Sequence, residues 1–291
     1  MTALLCPLLC LLTIASADAQ PPLPTIVSTQ LCADHLALSL AAPAQILSLS
    51  YKSQDPLRST YAERAQHYPG NSGKVEEIIA LKPDIVLASR RWRRHPMKPQ
   101  LEALGIRVVI PPHSKSWQDI FEHTQWLADQ IGRPERGRQQ VEQLRQRLAL
   151  LPQIMPSADT ARNNMLFLRP NGGSAGSDTH IHMLIEALGF NNYASQVGLK
   201  GWGRFSLEQV VMQSPDYLLL SAYVRDQAYA RSQLSRHPVL KAIVASKPSL
   251  ILPGKYGSCA NWTLIETAEY LAEQLHHSHS QAEQALSKVR P

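Results

Sequence analysis

The chain has 291 residues, of which 44% are hydrophobic and 18% charged, with 29 Lys and Arg against 23 Asp and Glu. This apolar share can build a core, which excludes general disorder, and the length suggests about two domains. With 14 Gly and 4 Cys, the chain is neither collagen-like nor disulfide-dense. Although basic residues are in excess, the sequence has no motif of aromatic and basic residues that would bind nucleic acid. No nucleic-acid partner is therefore expected.

Residues 1–19 are predicted to be a signal peptide. Residues 3–12 are almost wholly apolar, and this run is shorter than the ~20 residues of a spanning helix. Ala17, Asp18 and Ala19 have the small-x-small form of a signal-peptidase site. The alternative is a buried N-terminal helix. We therefore expect an exported, periplasmic chain.

Export also affects the cysteines. Cys6 and Cys10 would leave with the signal peptide, and lipidation of either is disfavoured because Leu precedes both. Cys32 and Cys259 would then remain in an oxidising compartment.

Strand-like runs alternate with helical runs in the first half of the chain. Four short runs are rich in Val, Ile and Leu without alternation, which is typical of strands buried on both faces. They lie at residues 25–28, 45–49, 84–88 and 107–110. Helical stretches separate them at about residues 34–40, 75–81 and 99–104. This order predicts a parallel α/β architecture.

Two longer helices follow. Residues 116–131 form the first, and Pro134 suits the first turn of the second. In the second helix, apolar residues three and four apart make one stripe. The sequence thus predicts an N-terminal α/β lobe at 24–133, a linker helix at 134–155 and a C-terminal α/β lobe at 156–291. In that last lobe, elements are predicted at residues 164–168, 179–188, 217–221, 250–252 and 261–275.

The chain contains an internal repeat. Residues 75–87 align with residues 207–219 without a gap, matching a Glu, an apolar pair, Pro-Asp and the following strand. Chance similarity of two helix–Pro–strand units is the alternative. The equal spacing from Glu to Pro in both copies favours a structural repeat, and hence two similar lobes.

Residues 75–86 resemble the most recognisable segment of the periplasmic substrate-binding proteins for cobalamin and ferric siderophores. Residues 25–28, 100–106 and 206–210 are similar to other parts of that family. The resemblance covers about residues 24–275. It implies the class III fold, in which two Rossmann-like lobes with mainly parallel sheets are joined by one long α-helix.

The resemblance also implies a function without catalysis or a cofactor. A monomer would capture a metal chelate, either a ferric siderophore or a cobalamin-type corrinoid, in the cleft between its lobes. It would deliver this ligand to an inner-membrane ABC permease and its ATPase. Ligands of open parallel sheets bind at the carboxyl ends of the strands, which agrees with a cleft there.

Glu76 and Glu208 match the two family glutamates that engage the permease. Each lies in the first turn of a predicted helix, where a carboxylate gains ~0.3–1 kcal/mol from the helix dipole. Ser206 and Gln209 would form a capping box at the second helix. Simple dipole compensation is therefore the alternative, and the matched placement in both repeats favours docking.

Loops after the strands supply the ligand-binding candidates. Arg90, Arg91 and Trp92 belong to a cluster of four arginines around one indole, and arginine donates forked hydrogen bonds and stacks on conjugated planes. A solvated basic turn is the alternative. The full predicted set is Tyr51, Arg90, Arg91, Trp92, His113, Trp202, Arg204 and Tyr256.

The second-lobe members of this set stand beside glycines. Trp202 lies between two glycines and Tyr256 precedes one, so that the backbone is free to approach a ligand that the rings contact. Cys32 and Cys259 leave three interpretations open, namely buried thiols, a disulfide between the lobes, or contact with a metal or ligand.

Two competing functions remain as alternatives. His35, His113, His180 and His182 could bind free zinc or manganese, although their spacing shows no compact ligand motif. Residues 172–176 match the G-x-S-x-G pattern of a serine hydrolase. Pro170 and Asn171 make this turn longer than a tight nucleophile elbow. A flexible loop with amides facing an anion is favoured instead.

Overall fold

A computed structural model describes residues 22–155, 163–169, 171–204, 208, 212–222 and 238–287. The predicted signal peptide lies outside these residues. In the described part, no helix combines the length and the apolar character needed to cross a membrane.

The first sheet has five parallel strands in the order β3-β2-β1-β4-β5. Its strands are β1 (Ile26–Ser28), β2 (Ile46–Ser50), β3 (Gly70–Asn71), β4 (Ile85–Leu87) and β5 (Arg107–Val109). The helices between them are α1 (Leu31–Leu40), α2 (Ala62–Ala65), α3 (Val75–Leu81) and α4 (Lys98–Ala103). Strands β1 and β4 are buried throughout, which explains their unbroken apolar sequence.

Two helices connect the sheets. Helix α5 (Trp117–Gln130) begins at a capping box in which Ser116 and Asp119 bond each other's backbone N–H groups. Helix α6 (Pro134–Ile154) packs against α1, α5 and the last helix of the chain. It lies within the segment predicted as the linker, and the lobe boundaries themselves remain predictions.

The second sheet has four parallel strands in the order β11-β10-β6-β8. A separate antiparallel pair joins β7 to β9. The strands are β6 (Asn164–Leu168), β7 (Ser174–Ala175), β8 (Asn191–Asn192), β9 (Trp202–Gly203), β10 (Tyr217–Ala222) and β11 (Ser249–Pro253). The helices are α7 (His180–Ala187), α8 (Tyr193–Gln196), α9 (Pro238–Ser246) and α10 (Leu264–Ser287).

The largest apolar cluster extends through both halves of the chain. It includes Ile26 of the first sheet, Leu144 of α6, Phe167 of the second sheet and Leu271 of α10. The α/β fold with two mainly parallel sheets and a long connecting helix confirms the fold class expected from the sequence.

Candidate ligand-binding cleft

A cleft of about 260 Å³ lies between the two sheets. Its walls come from segments that follow β1, β4 and β5 on one side, and from α7, β9 and the segment after β11 on the other. The carboxyl ends of parallel strands thus face it, as expected for ligand sites in open α/β sheets. The polar and aromatic side chains that line it are Gln30, Ser89, Arg90, His113, Ser114, His123, Thr124, His180, Trp202, Ser258 and Asn261.

Trp202 presents the largest flat surface in this cleft. Strand β9 holds its backbone opposite Ala175 of β7. The Arg169 guanidinium lies 4.3 Å from the ring centroid, and Phe167 meets the ring edge-on at 6.0 Å. The side chain nevertheless remains 42% exposed. The indole is therefore fixed in place with apolar surface left open for a ligand.

The Gly-rich segment at residues 172–176 supports Trp202 instead of cradling an anion. The N–H groups of Gly172, Gly173 and Gly176 donate to the Arg169 carbonyl, the Asn171 side chain and the Gly201 carbonyl. The expectation that these amides face an anion is wrong, because each already has a protein acceptor.

Gly176 is needed for close approach of two backbones. A Cβ at this position would lie 1.8 Å from the carbonyl oxygen of Leu199. Only glycine therefore lets this segment run beside the residues that precede Trp202.

Ser174 does not have the surroundings of a catalytic nucleophile. It is 1% exposed, and its hydroxyl donates to the Phe167 carbonyl oxygen at 2.6 Å. A nucleophilic serine needs a hydrogen-bonded base and access to substrate. Neither is present among the contacts of Ser174 in the described part of the chain.

Two of the four candidate histidines line the cleft. The buried His180 ring donates from Nε2 to the Gly257 carbonyl oxygen at 3.2 Å, and burial lowers its pKa to about 4. His113 is half-buried, and burial followed by the charge of Arg90 lowers its pKa. Both rings are therefore neutral at pH 7.

The other two candidate histidines lie elsewhere. His35 is buried against the Ser59 hydroxyl at 2.9 Å, and His182 lies 3.4 Å from the Glu186 carboxylate. Within the described ranges, no three His, Cys, Asp or Glu residues come together in a group that could hold a metal ion. The free-zinc alternative therefore has no assembled site there.

The arginine cluster forms one short helical turn, Arg90–Arg94. Arg90 lines the cleft, whereas Arg91 is exposed outside the cavity. Trp92 is only 7% exposed and packs into the core beside Val27 and Val86, while its ring stacks on His95 at 4.2 Å. Trp92 thus anchors the turn and does not face the cavity.

The remaining predicted ligand contacts lie outside the cavity. Tyr51 is 55% exposed after β2, and Lys52 lies over its ring. Tyr256 stacks on Tyr270 at 4.4 Å in a different depression. Arg204 is exposed two residues after Trp202.

A disulfide bond joins the lobes beside the cleft. Cys32, at the start of α1, is bonded to Cys259, and their Cα atoms are 5.4 Å apart. The Asn261 amide donates to the Cys32 carbonyl oxygen at 2.9 Å. Nearby, the Tyr61 hydroxyl donates to the Glu266 carboxylate. Of the three interpretations for these cysteines, the structure contains the disulfide.

Glu76 is exposed in the first turn of α3 and makes no hydrogen bond or ion pair within the described residues. Its neighbour Glu77 instead accepts from the Ser72 N–H and hydroxyl, at 2.7 and 2.9 Å, and these bonds lower the Glu77 pKa. Glu77 thus stabilises the start of α3.

Glu208 is also exposed, whereas Ser206 and Gln209 of the predicted capping box lie outside the described residues.

Sequence reasoning missed several cleft residues. Asn261 and Ser258 follow β11, so their position after a strand was an available signal. Arg169, which lies over the Trp202 ring at the border of the cleft, directly follows β6 in the same way. His123 lies in the middle of α5, where no local pattern distinguishes it from other polar residues of that helix.

These features define a class of protein. The chain has two mainly parallel sheets with helices, a long helix between them and a cleft lined from both sides. This is the architecture of a two-lobed solute-binding protein. The sequence profile described as "Periplasmic binding protein" matches residues 26–249, and the chain belongs to this family. Its members are binding components of transport systems, which confirms both the resemblance and the expectation of a protein that is not an enzyme.

Named relatives agree with this assignment. The vitamin B12-binding protein of Photorhabdus laumondii is 26% identical over 259 residues, covering 88% of this chain and 89% of that protein. The cobalamin-binding protein of Halobacterium salinarum is 29% identical over 146 residues. This match covers 50% of the present chain and only 39% of the relative's length.

A solved structure has the same fold. The periplasmic heme-binding protein RhuT from Roseiflexus sp. RS-1 matches with a TM-score of 0.69 at 20% identity. The match covers 87% of this chain and 98% of that one.

Proposed function

We propose that this chain is the solute-binding component of an ABC importer and carries a metal chelate across the periplasm. The observation that carries the proposal is the cleft between the sheets, with Trp202 held flat at its side. The relatives named for vitamin B12, cobalamin and heme support a chelate with an extended organic framework. A ferric siderophore or a cobalamin-type corrinoid is the proposed ligand class.

Three of the predicted contacts are proposed to bind this ligand directly. Trp202 supplies a flat apolar surface, Arg90 a forked donor and His113 a neutral ring, and all three line the same cavity. Arg91 and Arg204 are exposed near these residues in sequence and are proposed to act at the rim. The buried position of Trp92 and the stacking of Tyr256 give these two a supporting role.

Glu76 and Glu208 are proposed to dock on an inner-membrane permease that works with an ATPase. Both side chains are exposed, so their carboxylates can meet a basic surface. The Glu76 carboxylate also makes no hydrogen bond or ion pair within the described residues. Its neighbour Glu77, by contrast, accepts hydrogen bonds from Ser72. We further propose that the chain is periplasmic, is exported by its signal peptide and acts as a monomer.

A fluorescence titration tests the proposed function. The chain from Gln20 onward would be titrated with cyanocobalamin, a ferric catecholate, a ferric hydroxamate, haem and zinc chloride, with correction for ligand absorbance. Saturable quenching by a chelate, with a dissociation constant below about 1 µM, is expected. The Trp202→Phe variant should lose most of this signal, whereas Trp126→Phe should retain it. Binding of zinc alone, or of no ligand, would contradict the proposal.

A further inference from the structure

The cleft walls carry positive charge and no negative charge among the described residues. Arg90 contributes a permanent positive charge to its walls, whereas His113 and His180 contribute neutral rings. No Asp or Glu occurs among the described residues that line it. An anionic ligand near Arg90 gains Coulomb energy that no lining carboxylate opposes, whereas a neutral amide-rich ligand does not.

The basic turn at the edge of the cleft is also left without counter-ions. Arg90, Arg91, Arg93 and Arg94 make no ion pair with any described carboxylate. Elsewhere the protein does pair its arginines, as in the bidentate contact of Arg147 with Glu269.

This turn is held rigidly. Buried Trp92 forms its centre, and the His95 ring stacks on that indole with an interplanar angle of 19°. The guanidinium groups on either side are therefore carried by a fixed backbone. A fixed backbone reduces the entropy that the turn itself loses when it binds a ligand.

The opposite wall adds a further guanidinium group. Arg169 lies over the Trp202 ring at 4.3 Å, so a cation borders the surface on which a flat ligand would stack. Asp119 is the acid whose charge acts on His113, and its Oδ2 atom accepts from the N–H groups of Lys115 and Ser116. The effect of Asp119 on the His113 pKa is smaller than those of Arg90 and Lys115, so it offsets only part of the positive potential.

We infer that the transported chelate carries acidic oxygen groups and that Arg90 binds one of them. The inference rests on the proposed function and specifies its substrate class. The flat or apolar part of the chelate lies on Trp202, and its acidic edge faces the arginine turn. Carboxylates on a ring and catecholate oxygens on iron offer the same chemistry to a guanidinium fork.

Matched ligands test this inference. Iron protoporphyrin and its dimethyl ester differ only in two ionised carboxylates, and a ferric tris-catecholate is anionic where a ferric tris-hydroxamate is neutral. We expect the acidic member of at least one pair to bind about tenfold or more tightly than the neutral member, and cyanocobalamin to bind weakly. The dissociation constant of the acidic chelate should rise with added sodium chloride, because salt screens its attraction to Arg90.

Variants assign the effect to a residue. Arg90→Gln should weaken binding of the acidic chelate about tenfold and leave the neutral member unchanged. Arg90→Lys should recover only part of the loss, since it keeps the charge without the fork. Arg138→Gln on the exposed face of α6 removes the same charge at a distance and should have no effect. Circular dichroism checks that each variant is folded.

Each outcome has a distinct meaning. Equal affinity for acidic and neutral chelates, or an Arg90→Gln variant that binds normally, would overturn the inference and leave the proposed function standing. Failure of every chelate to bind would instead contradict the proposed function itself.

Discussion

Asp84 and Asp216 make the same hydrogen bond in the two sheets. The Asp84 carboxylate accepts from the Thr25 N–H at 2.7 Å, and the Asp216 carboxylate accepts from the Asn164 N–H at 2.8 Å. Each acid precedes a strand that pairs with the first strand of its own sheet. The internal repeat of the sequence is thus also a repeat of atomic contacts, and it relates the segments that carry Glu76 and Glu208.

Trp202→Ala should weaken chelate binding by more than tenfold, which corresponds to ~1.4 kcal/mol or more. The substitution removes the flat surface that Arg169 and Phe167 hold in place. Isothermal titration calorimetry measures the change. Trp126→Phe, in α5 and outside the cavity, serves as the control. An unchanged affinity would exclude Trp202 from the ligand site.

The double variant Glu76→Ala and Glu208→Ala should abolish uptake by cells and leave chelate affinity unchanged. Both side chains are exposed and neither lines the cleft. Uptake of a labelled chelate and calorimetric titration measure the two quantities separately. Glu77→Gln changes the adjacent carboxylate, which bonds Ser72, and should spare uptake. Loss of affinity in the double variant would show that the pair is structural.

The buried acid Asp34 should make the free energy of unfolding depend on pH. Its carboxylate accepts from the Ser50 hydroxyl at 2.5 Å, and burial raises its pKa from 3.8 to about 7. Because the folded pKa lies above the unfolded one, this contribution is fully present below pH 3.8. It is lost as pH rises towards 7, at ~1.4 kcal/mol per pH unit between the two pKa values. His35 acts in the opposite direction, since burial lowers its pKa from 6.5 to about 4.

The Asp34→Asn variant separates these effects. Its stability relative to the natural chain should improve steadily as pH rises from 4 to 7, as measured by urea unfolding at each pH. Asp55→Asn, at a surface carboxylate paired with Arg58, should show no such trend. A constant difference between the Asp34→Asn variant and the natural chain would mean that this carboxyl does not change its protonation on unfolding in that range.

Reduction of the Cys32–Cys259 disulfide should lower the free energy of unfolding by ~2–4 kcal/mol, because the bond closes a loop of the chain spanning 227 residues. It should also weaken ligand binding, since the bond fixes one side of the cleft. Urea unfolding and titration with and without dithiothreitol measure both effects. The double variant Cys32→Ser and Cys259→Ser should be insensitive to dithiothreitol. If the natural chain were equally insensitive, the prediction would be contradicted.

The sequence predicted those elements whose own residues carry a strong pattern. Strand β4 and the Leu218–Leu219 centre of β10 are apolar because both of their faces are covered. The long helix α6 shows its stripe through Leu144 and Leu151, which are buried. The two glutamates proposed for docking stand out in the sequence because they occupy matching positions of the internal repeat.

Other features depend on distant contacts that no local pattern encodes. Strands β7 and β9 have two residues each, too few for any periodicity, and they form only because Gly176 lets Leu199 approach. Trp92 was expected to face the ligand because of its arginine neighbours, but the turn directs its indole into the core. Tyr256 likewise stacks on Tyr270 of the next helix, α10, and no periodicity within its own loop indicates this contact.

The disulfide has a mechanical consequence. It makes residues 32–259 a closed ring of polypeptide that contains every strand of the two sheets except β1. Force applied to the two ends would bypass this ring, so that roughly 770 Å of contour, at ~3.4 Å per residue, stays locked until the bond is reduced. On the export route proposed for this chain, the ring can close only after Cys259 has crossed the membrane, because its two ends lie 227 residues apart.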